Sequence, residues 1–169
     1  MSGSDDSTER IELVEGAARR VSLSRVEMTE LVLPGDANAL GTIFGGKVMQ
    51  WVDIAASVAS MRHSSGSTVT ASIDGLQFLT PIRVGEVVTL KASVNYAGRT
   101  SMEVGVRVDA ENLITGERRY TTKAYLTFVA VDKKGKPRTV PSLELENDED
   151  HRRNDEARAR RRSRLIGRS

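Results

Sequence analysis

One short stretch of the chain sets a residue that could do acid–base or nucleophilic chemistry in surroundings that look wrong for it. In "PGDANALGTIFGGKVMQWVD", Pro34 to Asp53, an asparagine, Asn38, is joined to an aspartate, Asp53, by a loop carrying Gly41, Gly45 and Gly46. The loop runs without a break into an apolar helical pattern that holds Asp53 two turns inside it. The neighbours Val52, Ile54, Ala55 and Ala56 are all apolar. A carboxylate in such surroundings must be hydrogen-bonded, hold its proton unusually tightly, or both. Those are conditions suited to a general base or a nucleophile. The structural alternative is that the glycines only let helix and sheet approach closely and that Asp53 meets solvent or a buried partner.

Geometry sharpens the expectation. Gly46 and Asp53 are seven residues apart, so they share a helix face but lie about 10 Å apart along its axis. Free backbone N–H groups and the positive end of the dipole at the helix start suit an oxyanion. One carbonyl cannot touch that end and also lie beside a carboxylate two turns below. A second copy of the chain is the simplest source of the missing group, which places the active site at a dimer interface.

The elements that must position these residues follow from the hydrophobic period. Ser22 to Leu33 reads as a strand, and a helix is expected from about Gly45 to His63, with Val48, Trp51, Val52, Ala55, Val58 and Ala59 at helical spacing. It is apolar around most of its circumference, which predicts a buried helix. After "SSGS" the period changes to two. Thr68 to Phe78 is a β-branched run, and Val88, Leu90, Ala92, Val94 and Tyr96 alternate with polar residues up to the turn "AGRT". Met102, Val104, Val106 and Val108 form the next strand, and Ala124, Leu126, Phe128 and Ala130 the last, with "DKKGKPRTVP" ending the folded part. One apolar helix and five strands joined by short turns predict an α+β fold, an antiparallel sheet around a central helix.

Composition bounds the rest. The 169 residues, 38% hydrophobic and 28% charged, suit one domain with its own core. No run approaches the roughly 18 apolar residues of a membrane span, and the acidic start "MSGSDDSTER" does not read as a signal peptide. Cytoplasmic location is the expectation. The absence of cysteine excludes disulfides, thiolate nucleophiles and zinc–thiolate sites. His63 falls at the helix C-terminus, where a cation or cap is favourable, and His151 lies in the charged tail, so neither forms an acid–histidine pair and no metal constellation is visible. Residues 1–21 read as a flexible leader, 22–141 as the domain, and 142–169 as a charged tail that could be helical. Residues 151–169 hold eight arginines against Asp155 and Glu156. An arginine run can bind nucleic-acid phosphates, but no aromatic interleaving or recognition motif accompanies it.

The pattern P-x-x-x-N-x-x-G-x-x-F-G-G-x-x-M-x-W-V-D resembles that of the hotdog-fold acyl-CoA thioesterases of the cytosolic and brain acyl-CoA hydrolase type. The likeness continues through "TASIDGLQFLTPIRVGE", "NYAGRTSMEVGVRVDAEN" and the "GKPRTVP" segment, over about residues 22–165. The resemblance implies a five-stranded antiparallel sheet around a central helix and hydrolysis of an acyl-CoA, with no cofactor beyond the CoA of substrate and product. It implies Asn38 and Asp53 as the catalytic pair, brought together from two subunits, with N–H groups near Gly45 and Gly46 polarising the carbonyl. Asp53 would activate water or attack the thioester directly. Family CoA contacts map to Ala71, Ser72 and Ile73, and to Thr100, Ser101 and Met102, with Arg99 beside them. In the tail Arg162 aligns with an arginine that reaches CoA. Met49, Trp51, Met61 and Phe78 would line an apolar pocket with partner-chain residues. A trimer of dimers is the assembly implied. The rival readings are a non-catalytic acyl-CoA sensor on the same fold and a scaffold acting through the arginine tail.

Overall fold

The computed structural model describes residues 16–167. The leader's first fifteen residues lie outside the described residues. In chain order the elements are β1 (Arg19–Arg20), a 3-10 turn (Val21–Ser24), β2 (Val26–Leu31), a second 3-10 turn (Pro34–Asp36), α1 (Gly45–Ser64), β3 (Thr68–Phe78), β4 (Val87–Ala97), β5 (Ser101–Glu111), β6 (Arg118–Ala130), β7 (Leu143–Glu144) and α2 (Asp148–Ile166). The main sheet is antiparallel throughout, in the order β2-β4-β5-β6-β3.

Alternation along the strands puts Val88, Leu90 and Val94 of β4, Val104, Val106 and Val108 of β5, and Leu126 and Phe128 of β6 into one buried layer. Residues two apart share a face of a strand. The layer closes on α1 through Val48, Trp51, Val52, Ala55, Ala56 and Ala59. The alanines keep the helix surface thin, which lets the sheet come close to its axis.

Three expectations need correction. The first strand begins at Val26 rather than Ser22, because Ser24 turns the chain: its hydroxyl donates to the Val21 carbonyl (2.8 Å) and accepts from the Val94 N–H (3.0 Å). The central helix is not buried all round, since Ile54, Met61 and Met49 are 44%, 43% and 38% exposed. Trp51 belongs to the core, with the Lys47 ammonium 5.4 Å above its ring, and so lines no outer pocket. The segments on either side of residues 22–141 carry structure of their own, the tail as the helix it could form. Arg19 and Arg20 pair in parallel with Leu143 and Glu144, and the chain beyond Pro141 folds into α2, capped by the Asn147 side chain on the Asp150 N–H (2.9 Å).

The C-terminus of α1 explains why these end segments are held. The Arg19 guanidinium donates to the His63 carbonyl (2.6 Å) and the Arg138 guanidinium to the Ser64 carbonyl (3.1 Å). Two cations thus take the carbonyls left open at the end of the helix. His63, at the helix end where a cation or cap is favourable, is fully buried, its Nε2 at 2.8 Å from the Pro141 carbonyl and its Nδ1 without a partner among the described residues. Burial, reinforced by Arg19, pushes its pKa below the ordinary 6.5, against the opposing pull of the Pro141 carbonyl.

α2 crosses the outer face of the sheet. Asn154 donates to the Asn95 carbonyl on β4 (2.8 Å), Arg160 to Glu103 on β5 (2.6 Å), and Arg164 to Asp74 on β3 (2.7 Å). Glu103 is only 1% exposed. A buried carboxylate needs such a partner. Among the described residues no helix is long and apolar enough to cross a membrane.

These contacts set how stability responds to pH and to substitution. In the pH window just below 6.5 the unfolded chain binds a proton on His63 that the fold resists, so stability falls as pH drops through it. The urea midpoint should therefore fall between pH 7.5 and 5.5, and His63→Gln should flatten that response; an unchanged response in the variant contradicts the assignment. Arg160→Ala should destabilise by about 2 kcal/mol, because the buried Glu103 keeps only the longer Arg164 contact, and adding Glu103→Gln should recover part of the loss. Equal stability of wild type and Arg160→Ala would contradict the account of α2.

Candidate active site

The loop before α1 is built around Asn38. Its Oδ1 accepts from the Leu40 N–H (2.9 Å) and the Thr42 N–H (3.3 Å), and its Nδ2 donates to the Thr42 hydroxyl (2.9 Å). An asparagine that bonds its own downstream backbone holds a turn in place, and Gly41 at φ +75° supplies the left-handed residue the turn needs. The loop is tied down by the Ile43 N–H on the Ile82 carbonyl (2.8 Å) and the Val84 N–H on the Gly41 carbonyl (3.2 Å). That neighbouring segment is fixed in turn by Glu86, which accepts from the Arg83 N–H (2.8 Å) and from Arg119 (2.7 Å). The Arg119 hydrogen bond outweighs burial and holds the Glu86 carboxyl below the usual carboxylate range.

At the start of α1 the cap position is Phe44, and no side chain caps the helix. Among the described residues no acceptor takes the N–H of Gly45 or Gly46. A Cβ on Gly45 would stand 3.3 Å from the Phe78 ring, whereas one on Gly46 would meet nothing within 4 Å. Gly45 and Gly46 are both exposed, with Phe78 of β3 beside Gly45.

Asp53 is half-buried rather than enclosed in the core, because it lies where α1 borders the edge strand β3. There the Thr70 hydroxyl donates to its Oδ1 at 2.7 Å. Nothing in the sequence marks Thr70: it is one of several β-branched residues in its run, and only the packing of α1 on β3 selects it. Asn38 and Asp53 share no partner within the chain.

The remaining expected site residues divide. Ala71, Ser72 and Ile73 are at least partly accessible on β3. Arg99 is exposed in the β4–β5 turn, and Thr100 and Ser101 are half-buried beside it. The register Ser101–Val129–Val69 brings that turn to the end of the sheet where β3 begins. Met102, by contrast, is 1% exposed and packs in the core, so its side chain is withdrawn from any ligand. Arg162 stands exposed on α2, while Arg158 and Arg161 flank the Tyr96 ring at 5.5 and 5.7 Å. Among the described residues no three His, Asp or Glu side chains are placed to hold a metal. A cavity of about 840 Å³ lies elsewhere, between the outer sheet face and α2. Its walls are largely ion pairs such as Arg152–Glu149 and Arg25–Asp150, and it touches neither Asn38 nor Asp53.

Residues 40–116 match the thioesterase superfamily, and the chain belongs to this hotdog-fold family. Among curated proteins it is 45% identical to the uncharacterized acyl-CoA thioester hydrolase YkhA of Bacillus subtilis, over 75% of this chain and 74% of that protein. Among solved structures it resembles an apo-hexameric acyl-CoA thioesterase (46% identity, TM-score 0.87, 90% of this chain and 98% of the other). It also resembles the Staphylococcus aureus acyl-CoA hydrolase in complex with butyryl-CoA, CoA and CoA disulfide (36% identity, TM-score 0.81, 89% and 93% covered). Solved variants of that hydrolase replace by alanine an asparagine, an aspartate fifteen positions later and a threonine seventeen positions after that.

Proposed function

We propose that the protein hydrolyses acyl-CoA thioesters to a free acid and CoA. The observation that carries the reading is the Asp53–Thr70 hydrogen bond. Asn38, Asp53 and Thr70 also keep the fifteen- and seventeen-residue spacings of the three positions replaced in the S. aureus hydrolase.

In this reading a water between Asp53 and the thioester carbonyl loses its proton to the carboxylate as its oxygen bonds to carbon. The tetrahedral oxyanion is met by the free N–H groups at Gly45 and Gly46, and its collapse expels the CoA sulfur. Direct attack by Asp53, through an anhydride that water then opens, uses the same groups. Thr70 aims the carboxylate in either route. Asn38 already commits its amide oxygen to its own loop, so it works as part of a rigid rim, with one N–H left to orient water or carbonyl.

The second half of each site comes from a second copy. β3 is an eleven-residue edge strand that leaves Val69, Ile73 and Phe78 49%, 39% and 50% exposed. A long apolar edge of this kind calls for a cover. A two-fold pairing of β3 with its copy supplies one and brings Asn38 of one subunit toward Asp53 of the other. Three such dimers give the hexamer we expect, in keeping with the hexameric relative. Ala71–Ile73, Arg99–Ser101 and Arg162 are the surfaces we assign to CoA, with Arg162 free to meet phosphate. A cytoplasmic location is part of this reading, in keeping with a chain that has no cysteine.

Thiol release from acyl-CoAs of two to sixteen carbons tests it. Asp53→Ala should lose about 10²–10⁴-fold in kcat, and Thr70→Val about tenfold, through a misaimed carboxylate, each with the fold intact. Tight CoA binding without turnover on any chain length would contradict the proposal.

A further inference from the structure

The segment of β3 that carries Thr70 is the least regular part of the sheet. Its pairing with β6 shifts register between Thr70 and Ser72 and again between Asp74 and Gln77. Gly75 sits at φ +66° inside the second irregularity. Between the two shifts the strand holds its neighbour only through Ser72–Thr127, Ile73–Leu126 and Asp74–Tyr125, and its other edge has no strand beside it within the chain. A stretch with so few ladder pairs to its neighbour depends more on side-chain contacts for its geometry than a regular strand does.

α2 grips the two rows that flank this stretch. One row runs Glu103–Thr127–Ser72 and the next Gly105–Tyr125–Asp74 across β5, β6 and β3. In the first row Arg160 and Arg164 both reach Glu103, at 2.6 and 3.5 Å. In the second the Arg160 guanidinium lies 3.5 Å above the Tyr125 ring, and Arg164 holds Asp74 at 2.7 Å. Asp74 also takes the Ser72 hydroxyl at 3.4 Å. The last turns of α2 thus fasten, from the outer face, Asp74 and through it Ser72, four and two residues after Thr70, the hydrogen-bond donor to Asp53.

We infer that Arg164 and Asp74 are positioning residues for hydrolysis: their ion pair fixes the bulged segment of β3 so that Thr70 keeps its hydroxyl on Asp53. The inference rests on the proposed thioesterase reading for its kinetic consequence, though not for its structural one. The arginine-rich end of the chain then serves the carboxylate through strand geometry, apart from any contact with CoA.

A double-mutant cycle tests it. Asp74→Asn keeps the Arg164–Glu103 contact and the seat of α2, and should lower kcat about fivefold, a loss separate from any change in KM through the neighbouring CoA surface. In a Thr70→Val background the same substitution should cost nothing further, because the residue it acts through is gone. Arg164→Lys should lose less than Arg164→Ala, and Arg161→Ala should match wild type. Losses that multiply in the double variant, or an unchanged kcat in Asp74→Asn, would overturn the inference. Amide hydrogen exchange probes the anchor independently of turnover. Faster exchange at residues 70–74 of Asp74→Asn, with β4 and β5 unchanged, supports the anchor; unchanged exchange there overturns it. If wild type hydrolyses no acyl-CoA, the proposed function falls while the exchange measurement still decides the anchor.

Discussion

The contact between the alanine-rich face of α1 and the concave face of the sheet governs the rest of the molecule. Ala55, Ala56 and Ala59 let the sheet curve closely around the helix, while Val48 and Val52 fill the space at its start. A helix embraced this way has one margin left, along the edge strand β3, and Asp53 lies on it. The same packing leaves the helix start uncapped and brings Phe78 against Gly45. Carboxylate, free N–H donors and apolar edge are therefore consequences of one packing arrangement.

Polar groups hold this frame where apolar burial cannot. The loop of Asn38 is stabilised by its own side chain and by the Glu86–Arg119 pair behind it. The far end of α1 is closed by Arg19 and Arg138, which draw the segments at both ends of the domain onto one helix terminus. Glu103 is the counterpart on the outer face, a buried carboxylate that makes α2 a structural member. Because removing one partner of such a pair costs more than the pair itself contributes, truncating the tail at His151 acts on stability before it acts on any ligand.

Much of the fold was legible in the sequence. The clean alternation in β4, β5 and β6 has only one reading, and the switch from helical period to period two at "SSGS" marks the boundary after α1. Asp53 also stood out as a candidate, because an aspartate among Val52, Ile54, Ala55 and Ala56 contradicts its surroundings, whereas Asn38 joined it only through the family resemblance. What could not be read were features that depend on distance across the fold. Thr70 looks like any β-branched strand residue until α1 is laid on β3. Met102 is adjacent to accessible Ser101, but strand parity turns its side chain into the core. The arginines of the tail look interchangeable in sequence, yet the helical spacing of Arg160 and Arg164 meets Glu103 and Asp74, whereas Arg162 points elsewhere. His63 was assigned by its place at a helix end, and the segment around Pro141 that buries it could not be seen to return there.

The central claim is that a carboxylate from one chain works with a loop from another. Mixing two inactive variants, Asn38→Ala and Asp53→Ala, after unfolding and refolding them together, tests it most directly. If each site draws one residue from each subunit, half the dimers are mixed and each has one intact site, so about a quarter of wild-type thiol release should return. If both residues belong to the same subunit's site, every site in a mixed dimer keeps a defect and no activity returns, which would contradict the account.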